Sequence, residues 1–177
     1  MKISVLTSSR ADYSIYLPLL KALNCDPFFD LKLIVFGSHL SVSFGETVKL
    51  IEKDVFVISD RIETMPDDDQ PFDISLTIGK IIKSFSFIWK RNSSDLVIAL
   101  GDRFEMFAAC VASIPFSLPI AHIHGGEETL GATDNIFRHS ITHIAKYHFV
   151  TTDLYAEKVF KLIGKRENIF NVGALSI

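Results

Sequence analysis

Short apolar runs alternate with longer amphipathic stretches along the chain. The apolar runs predict five strands and two weaker ones near the end, at residues 2–7, 31–36, 54–58, 95–100 and 118–123, then 147–151 and 168–172. The stretches between them predict helices at 13–24, 43–53, 73–91, 103–114, 135–146 and 153–163. Because the runs are apolar on both faces, they are typical of a mostly parallel sheet covered on both sides. The alternation therefore predicts a doubly wound α/β domain.

The composition favours one globular domain over residues 1–177. Of these residues, 48% are hydrophobic and 22% are charged, which excludes a disordered chain. The mean hydropathy of +0.29 is high for a single domain and predicts an apolar face that covers something else. No apolar run approaches the roughly 18 residues of a membrane span, so we expect no membrane insertion. The net charge of −3 provides no basic surface for nucleic acid.

The start of the chain and the cysteines favour a cytoplasmic protein. Met1 and Lys2 lead directly into an apolar strand, without a signal-peptide pattern. Cys25 and Cys110 are far apart, which argues against a disulfide framework or a thiolate zinc site. Residues 59–73 carry six acidic side chains and one arginine and predict an exposed acidic loop.

Polar and ionisable residues gather directly after the predicted strands. They occupy four segments, at residues 8–14, 37–39, 101–103 and 122–128. In a doubly wound sheet, ligands bind beyond the carboxyl ends of the strands. The sequence therefore predicts an active site at this carboxyl edge of the sheet.

Two arginines are candidates for binding phosphate. Arg10 and Arg103 each follow a predicted strand and precede a helix, where free backbone N–H groups favour an anion. Together they would suit a diphosphate, although either could be a structural ion-pair partner. The chain has neither the glycine-rich P-loop nor the usual dinucleotide-binding fingerprint.

Three carboxylates are candidates for acid–base chemistry. Asp102 ends a buried strand, Glu127 follows two glycines that let the backbone approach a ligand, and Asp134 precedes a predicted helix. Asp102 and Asp134 could instead cap the helices that follow them. Carboxylates that face one cleft shift each other's pKa values, so one can act as an acid while another acts as a base.

The histidines allow a metal site but favour other roles. His122 and His124 alternate on one predicted strand, which would permit a metal site with Asp102 or Glu127. Because no third ligand has a motif-like spacing, we expect no metal. His39 lies at the carboxyl edge, where it would contact a ligand.

Five sequence blocks, in this order and spacing, resemble the hydrolysing UDP-N-acetylglucosamine 2-epimerases of sialic-acid-type sugar biosynthesis. The blocks are SSRADYS from Ser8, GSHL from Gly37, GDRFEM from Gly101, HIHGGEETLGATDNIFRHSIT from His122 and YHF from Tyr147. The resemblance implies the N-terminal half of a glycosyltransferase-B-type fold, in which two Rossmann-like domains enclose the active site. It also implies that residues 171–177 begin an interdomain hinge, that the second domain is missing and that copies of the chain form a homo-oligomer.

The resemblance further implies a reaction that needs no cofactor. A base removes the proton at the acetamido-bearing carbon of UDP-N-acetylglucosamine, UDP leaves, and water adds to the resulting 2-acetamidoglucal to give N-acetylmannosamine. The family's acid–base positions fall on Asp102, Glu127, Asp134 and His124. Its substrate-binding positions fall on Arg10, Ser14, Arg103, Arg138 and His39, with Arg138 orienting Asp134 one helical turn earlier.

Four alternatives stay open from the sequence. The chain could act on a GDP-linked or otherwise modified amino sugar, or it could be a non-catalytic module that binds a nucleotide sugar. It could also be a metal hydrolase built on His122 and His124, or a glycosyltransferase domain that transfers the sugar intact. Because the family is about twice as long by resemblance, we expect the isolated chain to fold but to catalyse poorly.

Overall fold

One parallel sheet runs through the part of the chain that the structure, a computed structural model, describes: residues 1–54, 56–66, 68–128 and 133–175. Its strands are β1 (Lys2–Thr7), β2 (Asp30–Phe36), β3 (Ile58–Ile62), β4 (Leu96–Leu100), β5 (Ile120–Ile123), β6 (Tyr147–Val150) and β7 (Ile169–Asn171). They lie in the order β3-β2-β1-β4-β5-β6-β7, and every neighbouring pair is parallel. The predicted doubly wound sheet is therefore confirmed, and the strand order reverses between β1 and β4.

The helices connect successive strands, as predicted, but their ends differ. They are α1 (Arg10–Cys25), α2 (Val48–Lys53), α3 (Pro71–Arg91), α4 (Phe104–Ser113), α5 (Asp134–Ile144) and α6 (Asp153–Ile163), with short 3₁₀ turns at Gly37–Leu40, Val42–Phe44 and Ile114–Phe116. α1 begins earlier than predicted because Ser9 and Asp12 form a capping box at its N-terminus. The helix predicted at 43–53 keeps only its second half, since Gly45 turns the backbone left-handed before it. Within the described residues, no helix has the length and apolar character needed to cross a bilayer.

The third strand lies later than the sequence predicts. The prediction placed it at 54–58 and an exposed acidic loop at 59–73, whereas β3 covers Ile58–Ile62 and α3 already begins at Pro71. β3 is an edge strand that pairs only with β2, so polar residues such as Asp60 are tolerated in it. Such a strand has no continuous apolar run and resembles a loop in sequence.

The two faces of the sheet are covered differently. Phe85, Met106 and Ile141 from α3, α4 and α5 pack on one face, whereas Tyr16 and Ile51 from α1 and α2 pack on the other. Beside α1 on this second face, β4, β5 and β6 line a wholly apolar groove of about 370 Å³. The groove agrees with the apolar face that the hydropathy predicts.

Candidate active site

The carboxyl edge of the sheet carries a cluster of ionisable side chains around one arginine. Arg138 on α5 is only 7% exposed, and its guanidinium lies between two carboxylates. Nη2 donates to Asp102, which follows β4, and Nη1 lies 3.4 Å from Oε2 of Glu127, which follows β5. Nη1 also lies 3.4 Å from the His124 carbonyl oxygen. These four residues, Asp102, His124, Glu127 and Arg138, are called the Arg138 cluster below.

Glu127 is engaged through both carboxylate oxygens. Oε1 accepts a hydrogen bond from Thr151 Oγ1 at 3.0 Å and lies 3.4 Å from His124 Nδ1, while Oε2 faces Arg138. Glu127 is 26% exposed and Asp102 is 22% exposed, so both carboxylates reach the open side of the edge. His124 Nε2 is buried and has no hydrogen-bond partner among the described residues. The cluster therefore brings two carboxylates and one imidazole together at the carboxyl edge.

The loop that carries Glu127 depends on left-handed backbone. Gly126 has a φ of 79°, and a Cβ there would lie 2.6 Å from the carbonyl oxygen of Tyr155 on α6, so only glycine fits. His124 has a φ of 64°, which is uncommon for a residue with a side chain. Such strained residues concentrate at functional sites. Close packing on α6 thus fixes the backbone next to Glu127.

A groove of about 410 Å³, called the arginine groove below, includes Arg10 and Arg103 in its lining. Arg103 directly follows Asp102 and donates to Glu105 from Nη2 at 2.8 Å and from Nε at 3.1 Å. Burial acts to lower the pKa of Arg103, but the fully buried Glu105 outweighs it, and Asp134 contributes to the same net rise in pKa. Arg10 is exposed, whereas Arg103 pairs with Glu105, which lines the same groove together with Asp69.

His39 lies beneath the carboxyl edge instead of on its surface. Its side chain is fully buried, with Nε2 2.8 Å from Thr7 Oγ1 and Nδ1 2.8 Å from Thr47 Oγ1. Burial lowers the pKa of His39 to about 4, so the imidazole is neutral. In this structure His39 therefore supports Thr7 and Thr47 from below the edge, and its contact with a ligand stays a prediction.

Two further predicted residues lie at the edge but outside the Arg138 cluster. Asp134 is exposed in the first turn of α5. Arg138 forms its ion pairs with the two carboxylates of the cluster, so the predicted pairing of Arg138 with Asp134 is wrong. Ser14 is also exposed, and its Oγ donates to the Arg10 carbonyl oxygen at 2.8 Å within α1.

The two histidines considered as metal ligands, His122 and His124, lie in different surroundings and contact different residues. His122 is fully buried, with Nε2 2.8 Å from the Gly101 carbonyl oxygen and Nδ1 3.2 Å from Thr142 Oγ1. His124 lies beyond the end of β5 and faces Glu127. Among the described residues, no three His, Cys, Asp or Glu side chains come close enough together to hold a metal ion.

A sequence profile of UDP-N-acetylglucosamine 2-epimerases matches residues 21–177, which is most of the chain. The chain belongs to this 2-epimerase family. It is 36% identical over 173 residues to a protein of Legionella pneumophila named UDP-N,N'-diacetylbacillosamine 2-epimerase (hydrolyzing), and covers 46% of it. It is also 36% identical to the polysialic acid biosynthesis protein P7 of Escherichia coli, and covers 44% of it. The chain thus spans about half the length of the curated relatives it matches.

Solved 2-epimerase structures share the fold of this family member. A crystal structure of a UDP-N-acetylglucosamine 2-epimerase matches with a TM-score of 0.87 at 19% identity, and 49% of that chain is covered. The enzyme of Neisseria meningitidis, solved with UDP-GlcNAc bound, matches with a TM-score of 0.84 at 17% identity, and 46% of it is covered. The fold is therefore a Rossmann-like domain that corresponds to about half of a glycosyltransferase-B-type structure.

Three polar residues that contact the site of this 2-epimerase family member were not predicted from the sequence. Thr151 donates to Glu127, Thr142 contacts His122, and Glu105 binds Arg103. Thr151 directly follows β6, so its position after a strand is a signal that could have identified it. The contact of Thr142 depends on how α5 packs on the sheet, which the sequence does not reveal, whereas Glu105 lies only two residues from Arg103.

Proposed function

We propose that this chain supplies the acid–base half of a hydrolysing 2-epimerase that converts UDP-N-acetylglucosamine to N-acetylmannosamine and UDP. The observation that carries the proposal is Arg138, which bridges Asp102 and Glu127 at the carboxyl edge of the sheet. A buried guanidinium between two partly exposed carboxylates holds both side chains in fixed positions. Oriented carboxylates are groups that can carry out proton transfer at a sugar carbon.

The reaction proceeds by elimination and then addition. A base takes the proton from C2 of the sugar, the C–H electron pair forms the C1–C2 double bond, and the C1–O bond to UDP breaks. The product of this step is 2-acetamidoglucal. Water then adds its hydroxyl group to C1, and C2 receives a proton on the opposite face. Acid–base groups must therefore serve both faces of C2, and well-placed groups accelerate such steps by about 10²–10⁴-fold.

The Arg138 cluster provides the groups for these proton transfers. Asp102 and Glu127 bind different nitrogens of one guanidinium, so they approach a bound sugar from separate positions. His124 contributes an imidazole beside Glu127, with Nδ1 3.4 Å from Oε1 of that carboxylate. Asp134, exposed at the start of α5, is a further acid–base candidate on the open side of the edge.

The leaving UDP would bind in the arginine groove. Arg10 and Arg103 line this groove, Arg103 with Glu105 as its ion-pair partner, and Ser14 lies one turn after Arg10 on the same helix. Preorganised cations stabilise the negative charge that develops on a departing diphosphate. The groove and the cluster are adjacent because Asp102 and Arg103 are consecutive residues.

A second candidate substrate uses the same chemistry. Relatives from Legionella pneumophila and Campylobacter jejuni, at 36% and 32% identity, are named N,N'-diacetylbacillosamine 2-epimerases, with UDP for the first and GDP or UDP for the second. A UDP-linked or GDP-linked diacetylated sugar is therefore the alternative substrate. Elimination at C2 would be the same for these sugars.

The remaining expectations belong to the same proposal. We propose that the chain acts with a second domain, reached through residues 171–177, and that it works as a cytoplasmic homo-oligomer in sialic-acid-type sugar biosynthesis. The share of each relative that the chain covers, about half, supports the need for a second domain. The isolated chain is accordingly expected to turn over slowly.

The test follows the sugar by proton NMR in heavy water. Purified chain is incubated with UDP-N-acetylglucosamine, and in parallel with the UDP-linked diacetylated sugar, alone and with the separately expressed second half of a full-length relative. Release of UDP with deuterium at C2 of the 2-epimeric sugar supports the proposal. No UDP release and no deuterium in any mixture would overturn it, and sugar transfer without exchange at C2 would favour a glycosyltransferase.

A matched pair of variants assigns the chemistry to the cluster. Glu127→Gln removes the charge that faces Arg138, and we expect a loss of about 10²-fold or more in turnover. Glu128→Gln makes the same change one residue later, where the carboxylate is exposed and pairs with Lys158. We expect Glu128→Gln to turn over like the wild type. Equal losses in both variants would contradict the assignment.

A further inference from the structure

One buried histidine contacts all three segments that carry the Arg138 cluster. His122 has no exposed surface, and its Nε2–H donates to the carbonyl oxygen of Gly101 at 2.8 Å. Its Nδ1 lies 3.2 Å from Thr142 Oγ1 on α5. A Cβ at Gly125 would lie 3.1 Å from the same Nδ1, so the loop that leads to Glu127 packs directly on the ring. His122 therefore contacts the β4 end, the β5 end and α5.

Each of these contacts lies next to a residue of the cluster. Gly101 immediately precedes Asp102 and has a φ of 80°. Its carbonyl group shares a planar peptide unit with the Asp102 N–H, so a bond to this carbonyl oxygen fixes the orientation of the Asp102 backbone. Thr142 lies one helical turn after Arg138, and its Oγ1 lies 3.0 Å from the Arg138 carbonyl oxygen and 3.2 Å from His122 Nδ1, so these two acceptors share its single hydroxyl proton. A change at His122 would therefore reach Asp102 through Gly101 and Arg138 through Thr142.

We propose that His122 is a positioning residue that sets the distance between Asp102 and Arg138 for the proton transfers at C2, a role that rests on the proposed function. It acts as a neutral imidazole, with a donor toward Gly101 and an acceptor toward Thr142. Burial lowers the pKa of His122 to about 3, which keeps this hydrogen-bonding pattern unchanged at neutral pH. Buried networks in which the bonds are satisfied hold their members in one geometry.

The neighbouring strand offers a matched control. His148 is paired in register with His122 and is equally buried, but neither of its ring nitrogens has a partner among the described residues. A second control exists for Thr142, because Thr77 on α3 is also buried in a helix and its hydroxyl has no described partner. His148→Asn and Thr77→Val therefore repeat the changes of volume and polarity without breaking a bond to the cluster.

The experiment compares His122→Asn and Thr142→Val with these controls by ¹⁵N NMR of the Arg138 side chain in the 177-residue chain. The Nε–H signal of Arg138 is assigned from its loss in Arg138→Lys, and its rate of exchange with water is measured. We expect exchange to rise about tenfold in both cluster variants, within the range for residues coupled in one network, and to stay unchanged in both controls. Thr142→Ser keeps the hydroxyl and should restore the wild-type rate.

Turnover gives the second readout. Where the wild-type chain or its mixture with a second half is active, His122→Asn should lower kcat about tenfold and change KM less than about threefold. An Arg138 signal that is unaffected in both His122→Asn and Thr142→Val would overturn the proposal, as would equal changes in the controls. The exchange measurement needs no turnover, so an inactive wild type with a responsive Arg138 signal would count against the proposed function alone.

Discussion

Replacing Gly126 by alanine tests whether the loop that carries Glu127 is locked against α6. A Cβ at Gly126 would lie 2.6 Å from the Tyr155 carbonyl oxygen, whereas Gly164, at the end of α6, has open space around it. The two glycines have similar φ values, 79° and 74°, so left-handed backbone costs alanine about 1–2 kcal/mol at both. Steric overlap adds about 1–3 kcal/mol at Gly126 alone. We expect losses in unfolding free energy of about 2–5 kcal/mol for Gly126→Ala and about 1–2 kcal/mol for Gly164→Ala.

Urea unfolding and thermal melts of the two variants measure this difference. For a chain of this size, 1 kcal/mol corresponds to about 2–4 °C in Tm, so Gly126→Ala should melt about 2–12 °C below Gly164→Ala. Gly126→Ala should also weaken binding of UDP-N-acetylglucosamine, because relief of the overlap moves Glu127. Equal losses of stability in the two variants would refute the packing of this loop on α6. A stability loss with unchanged binding would refute the link to Glu127.

Two further predictions concern buried polar groups. Burial lowers the pKa of three histidines to between about 3 and 4, namely His39, His122 and His148. The unfolded chain binds protons at these sites near the ordinary pKa of about 6.5. The unfolding free energy should therefore fall by about 2 kcal/mol per histidine as the pH is lowered from 6.5 to 5. An unfolding free energy in urea that stays constant over this interval would contradict the burial. Tyr13→Phe removes a hydroxyl that donates to the Asp54 carboxylate at 2.6 Å and should lower the unfolding free energy by about 1 kcal/mol. The Tyr16 hydroxyl is buried without a described partner, so Tyr16→Phe should leave the unfolding free energy unchanged. Equal unfolding free energies in the two variants would contradict this contrast.

The fold was largely predictable because most of its strands are buried on both faces. β4 is a continuous apolar run and β1 and β2 are mostly apolar, and such runs are visible without knowledge of tertiary contacts. β3 was misplaced because an edge strand has one side in solvent and needs no such run. The start of α1 was missed because its cap depends on two short polar side chains, Ser9 and Asp12, that carry no apolar periodicity.

The site was predictable in its location but not in its pairings. Topology alone brings Asp102 and Glu127 to one edge, since both follow parallel strands. The choice of ion-pair partner depends on how α5 packs, and the structure directs Arg138 away from Asp134 and toward those carboxylates. Similarly, whether His39 faces a ligand or the core depends on the turn at Gly37–Leu40, which left no signal in the hydrophobic pattern.

The spacing of the Arg138 cluster along the chain has a consequence for the order of assembly during folding. Arg138 bonds to Glu127 and Asp102, which are 11 and 36 positions away, and Thr151 bonds to Glu127 over 24 positions. All of these partners lie between Asp102 and Thr151. The arginine groove instead joins Arg10, on the first helix, to Arg103, beyond the fourth strand, and so requires a much longer loop to close. Contacts between near positions form faster than contacts between remote ones. We therefore expect Asp102 and Glu127 to pair with Arg138 early in refolding, and the arginine groove to be among the last features to form.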